Sequence, residues 1–506
     1  MESYATPVLL DVFADSRARF ESLVGMLAGA EASTGTHAEL EERLHADGMD
    51  LLRCLFQDHL RLRALRERRV DAVTGADGVV RTRAERGRTR ALATVFGEVE
   101  VERMVYRAPG VPGLYPADRE LALPRERHSH GLRRRAATEA VRGSFQDARE
   151  AIARGCGSAP GKRQVEELVA RSAVDVDDFY RHRRPGPADR DTLLVLTFDA
   201  KGIVMLPADL REATRRKAAA KDAAGGQRLA TRLSSGEKRG RKRMAEVAAV
   251  YDAAPVARTP LDVIPATALD REDKVKGPVA SGKWVSASVR DSCKDVVAAA
   301  FEEAGRRDPA RARTWVVLVD GARYQLEVIE AEAARRNVTV HIVCDIVHVI
   351  EYMWKAAWCF FPPADRAAEA WVGEQVRRIL AGKAVKVAAA IRRKATLAGL
   401  TPHERAGADR CAEYLHAKAP YLAYGKALAA GWPIATGVVE GACRYLIKDR
   451  MDITGARWSL TGAEAVLKLR AVHASGDFND YWQYHVQREY LRVHARRYHD
   501  QLALAA

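Results

Sequence analysis

Cysteine is scarce and unpatterned. The chain has seven, Cys54, Cys156, Cys293, Cys344, Cys359, Cys411 and Cys443, an odd number with no Cys-x-x-Cys pair. That excludes a disulfide framework and a cysteine-rich zinc site, and it fits a reducing cytoplasm. Long apolar runs are also missing. No stretch of about 18 uncharged apolar residues occurs, and the mean hydropathy is -0.27, so no membrane partner is expected. Met1 to Asp11 lacks a basic segment ahead of an apolar run, which argues against a secretory signal. Acidic residues are in deficit: 67 Asp and Glu face 82 Lys and Arg, a net charge of +15. Such a surplus favours a polyanionic partner, nucleic acid first. Against these absences stand 506 residues, 47% hydrophobic and 29% charged. These values describe a well-cored protein of two to four domains and exclude a wholly disordered one.

Periodicity divides the chain. Val8, Leu9, Val12, Phe13, Phe20, Leu23, Val24 and Leu27, then Leu40, Leu44, Leu51, Leu52, Leu55 and Leu62, recur at helical spacing. From Val79 to Tyr106 the period becomes two, and Val95, Val99, Val101, Met104 and Tyr106 around Gly97-Glu98 read as a β-hairpin. A Pro/Gly connector runs from Pro109 to Pro124. Ser144 is placed to cap one short helix and Ser158 a second, with Gly155-Cys156-Gly157 between them. Two short helices about a glycine turn form a helix-turn-helix pattern, which an ordinary helical hairpin matches equally well. Buried strands follow at Leu193–Phe198, Ala245–Tyr251, Trp284–Val289, Trp315–Val319 and Val338–Val343, with helices over 292–304 and 325–335. The remainder, from Ile350, reads as helical, with Ala435 to Arg450 as one helix. This is a mixed α/β pattern. Between the first two of these strands lies the most basic segment, Arg211 to Arg243, with twelve Lys/Arg against three Asp/Glu. A run so lopsided repels itself, and it is read as a mobile arm ordered by phosphates, including Arg239, Arg241, Lys242 and Arg243.

Asp199 and Asp320 each follow an apolar strand directly, where open α/β sheets place ligand-binding groups. Singly, such an aspartate serves as well for a cap or a turn; two in one sheet favour a shared acidic site. Converging carboxylates without a Cys/His cluster suit Mg²⁺. Two such ions about 3.5–4 Å apart activate a water or hydroxyl and stabilise the leaving oxygen of a phosphodiester. Glu440 is the candidate third acid, and Arg444 and Lys448, at i+4 and i+8, share its helical face. A surface salt-bridge ladder has the same spacing.

Thr197-Phe198-Asp199-Ala200-Lys201-Gly202, Val317-Leu318-Val319-Asp320-Gly321-Ala322 and Gly437-Val438-Val439-Glu440 resemble the three acidic blocks of DDE transposases of bacterial insertion sequences. The likeness is to the ISKra-type group, distantly related to Mutator-like transposases. Lys448-Asp449-Arg450-Met451 through Gly455-Ala456-Arg457-Trp458-Ser459 is similar to that family's ending, and Cys344-Asp345-Ile346-Val347-His348 to its motif after the second acid. The resemblance spans about Leu193 to Val472. Its intervals of 121 residues from Asp199 to Asp320 and 120 from Asp320 to Glu440 agree with the family order. The hairpin-proximal stretch Tyr106 to Gly113 lacks the cysteine pairs that family members often carry.

The resemblance implies a ribonuclease-H-like α/β core with an all-helical insertion, preceded by a mainly helical DNA-binding region with a β-hairpin. The expected divisions are 1–75 (helical, a site of oligomerisation), 76–126 (hairpin and connector), 127–186 (helix-turn-helix-like) and 187–349 (first part of the core, with the arm 211–243). They continue with 350–432 (insertion) and 433–506 (catalytic helix and C-terminal helices). Asp199, Asp320 and Glu440 would hold two Mg²⁺ ions, with Mn²⁺ able to substitute. Asp345 and His348 would support the site, although a set of Asp199, Asp345 and Glu440 stands as an alternative. Lys201, Arg323, Arg444, Lys448, Arg450 and Arg457 would meet phosphates of double-stranded DNA, at transposon ends and in target DNA. Trp458 offers a face for an unpaired base, but a core tryptophan is the preferred reading. The expected assembly is a homodimer or larger on DNA, in the bacterial cytoplasm with the nucleoid. The rival readings are a structure-selective nuclease of the same fold and a non-catalytic DNA-binding descendant.

Overall fold

The structure, a computed structural model, describes residues 12–186, 189–223, 241–453 and 455–499. The chain falls into two compact units, Met1–Phe179 with Phe478–Ala506, and Tyr180–Asp477. The segment grouped in sequence as 433–506 is therefore divided between them, because the Phe478–Val493 helix belongs to the first unit. No helix among the described residues is long and apolar enough to cross a membrane.

In the first unit, helix α1 (Ala14–Ala28) lies on the long helix α2 (His37–Arg66), which Thr36 and Glu39 start with a reciprocal capping box. Strands β1 (Arg83–Thr94) and β2 (Gly97–Arg107) form an antiparallel hairpin. Its turn is Val95-Phe96, two residues earlier than the glycine implied. Gly97, at φ +133°, pairs with Thr94, whose hydroxyl donates to the Gly97 carbonyl at 2.7 Å. Leu60 of α2 closes on Leu92, Val99 and Val101 of the hairpin. Helices His130–Ala140, Phe145–Gly155 and Lys162–Ser172 pack mutually. Ser144 caps the second through a box with Asp147, as its sequence predicts. The third starts at Gly161 and not at Ser158, since Pro160 disfavours helical backbone at the residue before it.

The second unit is a mixed α/β structure built on a five-stranded sheet. Its strands are β3 (Leu193–Val204), β4 (Lys242–Ala253), β5 (Ala280–Ser288), β6 (Trp315–Val319) and β7 (Val340–Cys344), in the order β5-β4-β3-β6-β7. The first three run antiparallel, while β6 and β7 lie parallel to β3 and to each other. The apolar pentad Trp315–Val319 is buried at every residue, which is how a strand covered on both faces reads in sequence. Alternation sends Leu193, Val195, Val316, Leu318 and Val343 to one face. There they join a core with Val349, Met353, Val376, Ile379, Val387, Ile391 and Leu415 from the helices Ile346–Ala357, Arg366–Leu380, Ala384–Leu397 and Ala406–Ala417. The Cys293–Arg307 helix packs against β3 and β4 and brings Phe301 to Trp315, ring centres 6.1 Å apart. Each fully buried aliphatic or aromatic side chain contributes roughly 1.5–3 kcal/mol. The basic segment opens as a helix, Glu212–Ala223, in which Glu212 pairs with Arg215 and Arg216. That corrects the expectation of an arm over its whole length, since alanines and local ion pairs hold the first third helical. Residues 224–240, Arg239 among them, lie outside the described residues.

Candidate active site

The sheet register brings the acids together. Thr197 pairs with Leu318, and Leu318 with Val343, across parallel strands. Two residues further on, side chains return to the same face, so Asp199, Asp320 and Asp345 form one row across β3, β6 and the end of β7. The Asp345 amide donates to the Val319 carbonyl at 2.8 Å and continues that pairing one step beyond the strand. Gly321 turns the chain away after Asp320 at φ +88°. A Cβ there would lie 3.0 Å from the Cys344 sulfur and 3.4 Å from the Tyr414 hydroxyl. That hydroxyl donates to the Asp320 carbonyl at 3.2 Å, fixing the strand end from the helical side.

Each carboxylate is held differently. Asp199 accepts from the Ala200 amide at 2.6 Å and is hydrogen-bonded to the Cys443 thiol. Burial above all, with the Asp199 charge beside it, pushes the Cys443 thiol well up, so it stays protonated. Asp345 is fully buried and caps the Ile346–Ala357 helix. It takes the Val347 amide at 3.1 Å, the Thr436 amide at 3.4 Å and the Thr436 hydroxyl at 2.9 Å. The same hydroxyl lies 2.9 Å from Oε1 of Glu440, which projects from the Gly437–Ala442 helix and is exposed. A hydroxyl carries one proton, so it donates to one of these carboxylates at a time.

Asp320 feels all of them. Burial first, then the fields of Asp199, Asp345 and Glu440, push its carboxyl up to about 6, while His348 pulls the other way. Ligand atoms of Asp320, Asp345 and His348 all lie within 4.8 Å of one another. Asp199 and Glu440 fall outside this close group, although both act on Asp320 through their charge. The sequence treats Asp345 and His348 as supports; the structure brings both close to Asp320, within one group of potential ligands.

The expected DNA-contacting residues divide. Lys201 is exposed and, two residues after Asp199, shares its strand face. Arg323, Arg444, Lys448 and Arg457 are exposed, Arg323 beside Glu327 at 2.8 Å and Arg444 at 3.9 Å from Asp449. A π-helical turn at Cys443–Lys448 interrupts the helix after Glu440. Glu440, Arg444 and Lys448 therefore do not follow the single α-helical ladder that their spacing predicts; such wide turns recur at functional sites. Arg450, expected at the DNA surface, is buried, and so is Trp458, where its preferred core reading put it in place of a base-stacking face; the guanidinium lies 4.8 Å over the indole. Trp458 donates from Nε1 to the Met451 carbonyl at 2.9 Å, and its backbone bridges Met205 past the end of β3. Arg241 precedes β4, which Lys242 and Arg243 open, and Arg243 donates to the carbonyls of Val289 and Asp209 at 2.8 and 3.3 Å. Thr436, Cys443 and Tyr414 were not legible as site residues. Thr436 stands in the ordinary position of a helix-capping threonine, and its link to Asp345 crosses 91 residues.

Among known proteins, no family model and no curated protein matches the chain. Among solved structures, the Drosophila P element transposase strand transfer complex is similar over 73% of this chain and 81% of that one, with 10% identity and a TM-score of 0.23. A likeness this low carries no argument.

Proposed function

We propose that this chain is a DDE-type transposase, cutting DNA at transposon ends and joining the freed 3′-hydroxyl to target DNA. One observation carries the reading. Asp199 and Asp320 stand in register on neighbouring parallel strands, and the Asp320 carboxyl is raised to about 6 by burial first, with the charges of Asp199, Asp345 and Glu440 adding to it against His348. An acidic crowd of this kind is costly unless a cation is its partner. In this reading the five-stranded sheet is the ribonuclease-H-like core implied by the sequence resemblance, and the helices between β7 and Gly437 are its insertion.

The donor set is rich in carboxylate oxygen, has one imidazole, and keeps its nearby sulfur as a buried thiol. It fits a hard cation. Asp199, Asp320 and Glu440 would hold two Mg²⁺ ions, with Mn²⁺ able to replace them. Such ions, when bound, supply an activated oxygen nucleophile and charge stabilisation at the phosphodiester. The Ala200 amide and the Cys443 thiol orient Asp199, while Thr436 holds Glu440 towards Asp345. Lys201, Arg444, Lys448 and Arg457 are exposed cations near these acids in sequence and would take up DNA phosphates. A second reading has its own observation: the close approach of Asp320, Asp345 and His348 offers a mixed oxygen and nitrogen set for a single ion.

The test is cleavage and strand transfer on DNA carrying the element's flanking ends, in Mg²⁺ and in Mn²⁺. Asp199→Asn, Asp320→Asn and Glu440→Gln are each expected to abolish both steps. Activity retained in Glu440→Gln but lost in Asp345→Asn and His348→Ala would select the single-ion set. Cutting without joining would favour a nuclease.

A further inference from the structure

The hairpin and the C-terminal segment of the first unit enclose a cavity of about 240 Å³. Arg90, Arg103, Arg125, His494 and Arg497 line it, and Asp118 is the one carboxylate among its lining residues. Strand alternation supplies the first two: Arg90 of β1 pairs with Val101 of β2, and Arg103, two residues on, shares that face. Arg103 is 8% exposed and lies 4.4 Å over the Tyr115 ring. Asp118 sits on the short Pro116–Glu120 helix, Arg125 follows it, and His494 and Arg497 come after the Phe478–Val493 helix. Arg125 and Arg497 are exposed. His494 is buried, and its Nε2 is tied to the Leu123 carbonyl at 2.7 Å.

The charges around this cavity are not balanced within the unit. Asp118 pairs with Arg103 at 2.5 Å and stands 3.9 Å from Arg90. Arg90 donates from Nη2 to the carbonyls of Pro124, Arg125 and Glu126, and Arg103 from Nη1 to those of Arg88 and Val101. Carbonyls solvate a guanidinium without cancelling its charge. Nη1 of Arg90 and Nη2 of Arg103 meet no hydrogen-bond acceptor among the described residues. Nearby acids are engaged elsewhere, Glu126 with Arg171 at 2.9 Å and Glu120 with Arg63 at 3.4 Å. Neither Arg125 nor Arg497 is paired with a carboxylate among the described residues. Four guanidinium groups therefore share one carboxylate. Burial above all disfavours the charged form of Arg90, with Arg103 adding to it against Asp118. A half-buried excess of one sign is costly until an opposite charge completes it.

We propose that the cavity binds a terminal phosphate, as free phosphate or a phosphate monoester. Guanidinium forks match phosphate oxygens. Here they arrive from the hairpin, the connector and the C-terminal segment. A tetrahedral anion meets three such stretches with separate oxygens, whereas a carboxylate has only two. A terminal phosphate carries about −1.5 to −2 charges at pH 7, which suits a cationic excess better than a singly charged diester does. Depth selects the same group: the buried Arg103 lies beyond reach of a phosphodiester flanked by sugars on both sides. The carrier is a small phosphate compound or the 5′ end of a DNA strand, and both present the same dianion. The site lies within the first unit and is independent of the acids of the second.

The test is calorimetric titration of the full chain with inorganic phosphate, with the melting temperature followed in parallel. A Kd below about 1 mM is expected, with a rise in melting temperature that sulfate reproduces and chloride at equal ionic strength does not. Arg90→Gln should weaken binding by at least about tenfold, and Arg125→Gln with Arg497→Gln together by a similar factor. Circular dichroism checks that each variant is folded; if Arg90→Gln fails that check, the double variant at the two exposed positions decides. A second arm compares 5′-phosphorylated and 5′-hydroxyl forms of one DNA duplex. Tighter binding of the phosphorylated form, lost in the same variants, assigns the site to a DNA end; equal binding of the two, with inorganic phosphate still bound, assigns it to a small compound. Absence of heat and of stabilisation at about 10 mM phosphate, a chloride effect equal to that of phosphate, or binding unchanged in the folded double variant would overturn the proposal.

Discussion

In the candidate site of the second unit, Asp320 is the acid whose carboxyl is pushed up by its surroundings. Folding moves it from the ordinary aspartate value of 3.8 to about 6, so the native state holds its proton more tightly than the unfolded chain does. The sign follows: its contribution to stability is fully present below about pH 3.8 and is lost as pH rises through about 6. In metal-free protein, Asp320→Asn is therefore expected to raise the melting temperature at pH 7 and to have little effect at pH 4, as calorimetry at the two pH values would show. Mg²⁺ should raise the wild-type melting temperature at pH 7 and leave that variant unmoved. Its neighbour Gly321 carries a steric demand in place of an electrostatic one. Gly321→Ala combines a positive φ with a contact against the Cys344 sulfur, and about 1–3 kcal/mol of lost stability is expected in urea unfolding.

Among the elements, the strands were the most legible. Consecutive apolar residues at Leu193 and Trp315 both start strands where the sequence puts them; the second ends as expected at Val319, whereas the first runs past Phe198 to Val204 and takes Asp199 inside it. The hairpin turn and the cap at Ser158 were misread because a glycine and a serine each have several uses, and the choice was made by Thr94 and Pro160 nearby. The π-helical turn after Glu440 was not legible, since no local residue preference distinguishes it from an α-helix. Trp458 shows the same limit from the other side. An aromatic residue in a basic segment admits a base-stacking face beside the preferred core reading, and the backbone bridge to Met205 and the burial of the ring decide for core. Trp458→Ala is expected to cost about 3–5 kcal/mol and Trp458→Phe less, with DNA affinity of the folded Phe variant unchanged; chemical denaturation and a binding titration would check both.

Across the whole molecule, the first unit is closed by residues far apart in sequence. Arg133, buried, pairs with Glu489 at 2.5 Å and contacts His485 at 3.2 Å; His485 and Arg492 both engage Asp175, at 2.7 and 2.5 Å. Removing the Phe478–Val493 helix strands Arg133 and Asp175 without their partners, a loss of about 3–5 kcal/mol per buried pair. A fragment ending at residue 179 is accordingly expected to lack cooperative unfolding, whereas residues 180–477 alone should keep it; thermal melts of the two fragments check this. With a net charge of +15, DNA affinity should fall steeply with salt, as counterion release requires. A logarithmic plot of affinity against salt with no slope would remove DNA as the partner.

Composition and order by themselves determined the chain's own charge, the mixed α/β class and the candidate acids, because charge, apolar periodicity and strand-end aspartates are local properties written residue by residue. Tertiary structure alone decided that Asp345 and His348 close on Asp320, that Thr436 joins Asp345 to Glu440, and that Arg450 faces inward. Those facts depend on strand register and helix packing between segments about a hundred residues apart, and no local pattern encodes a distance between them.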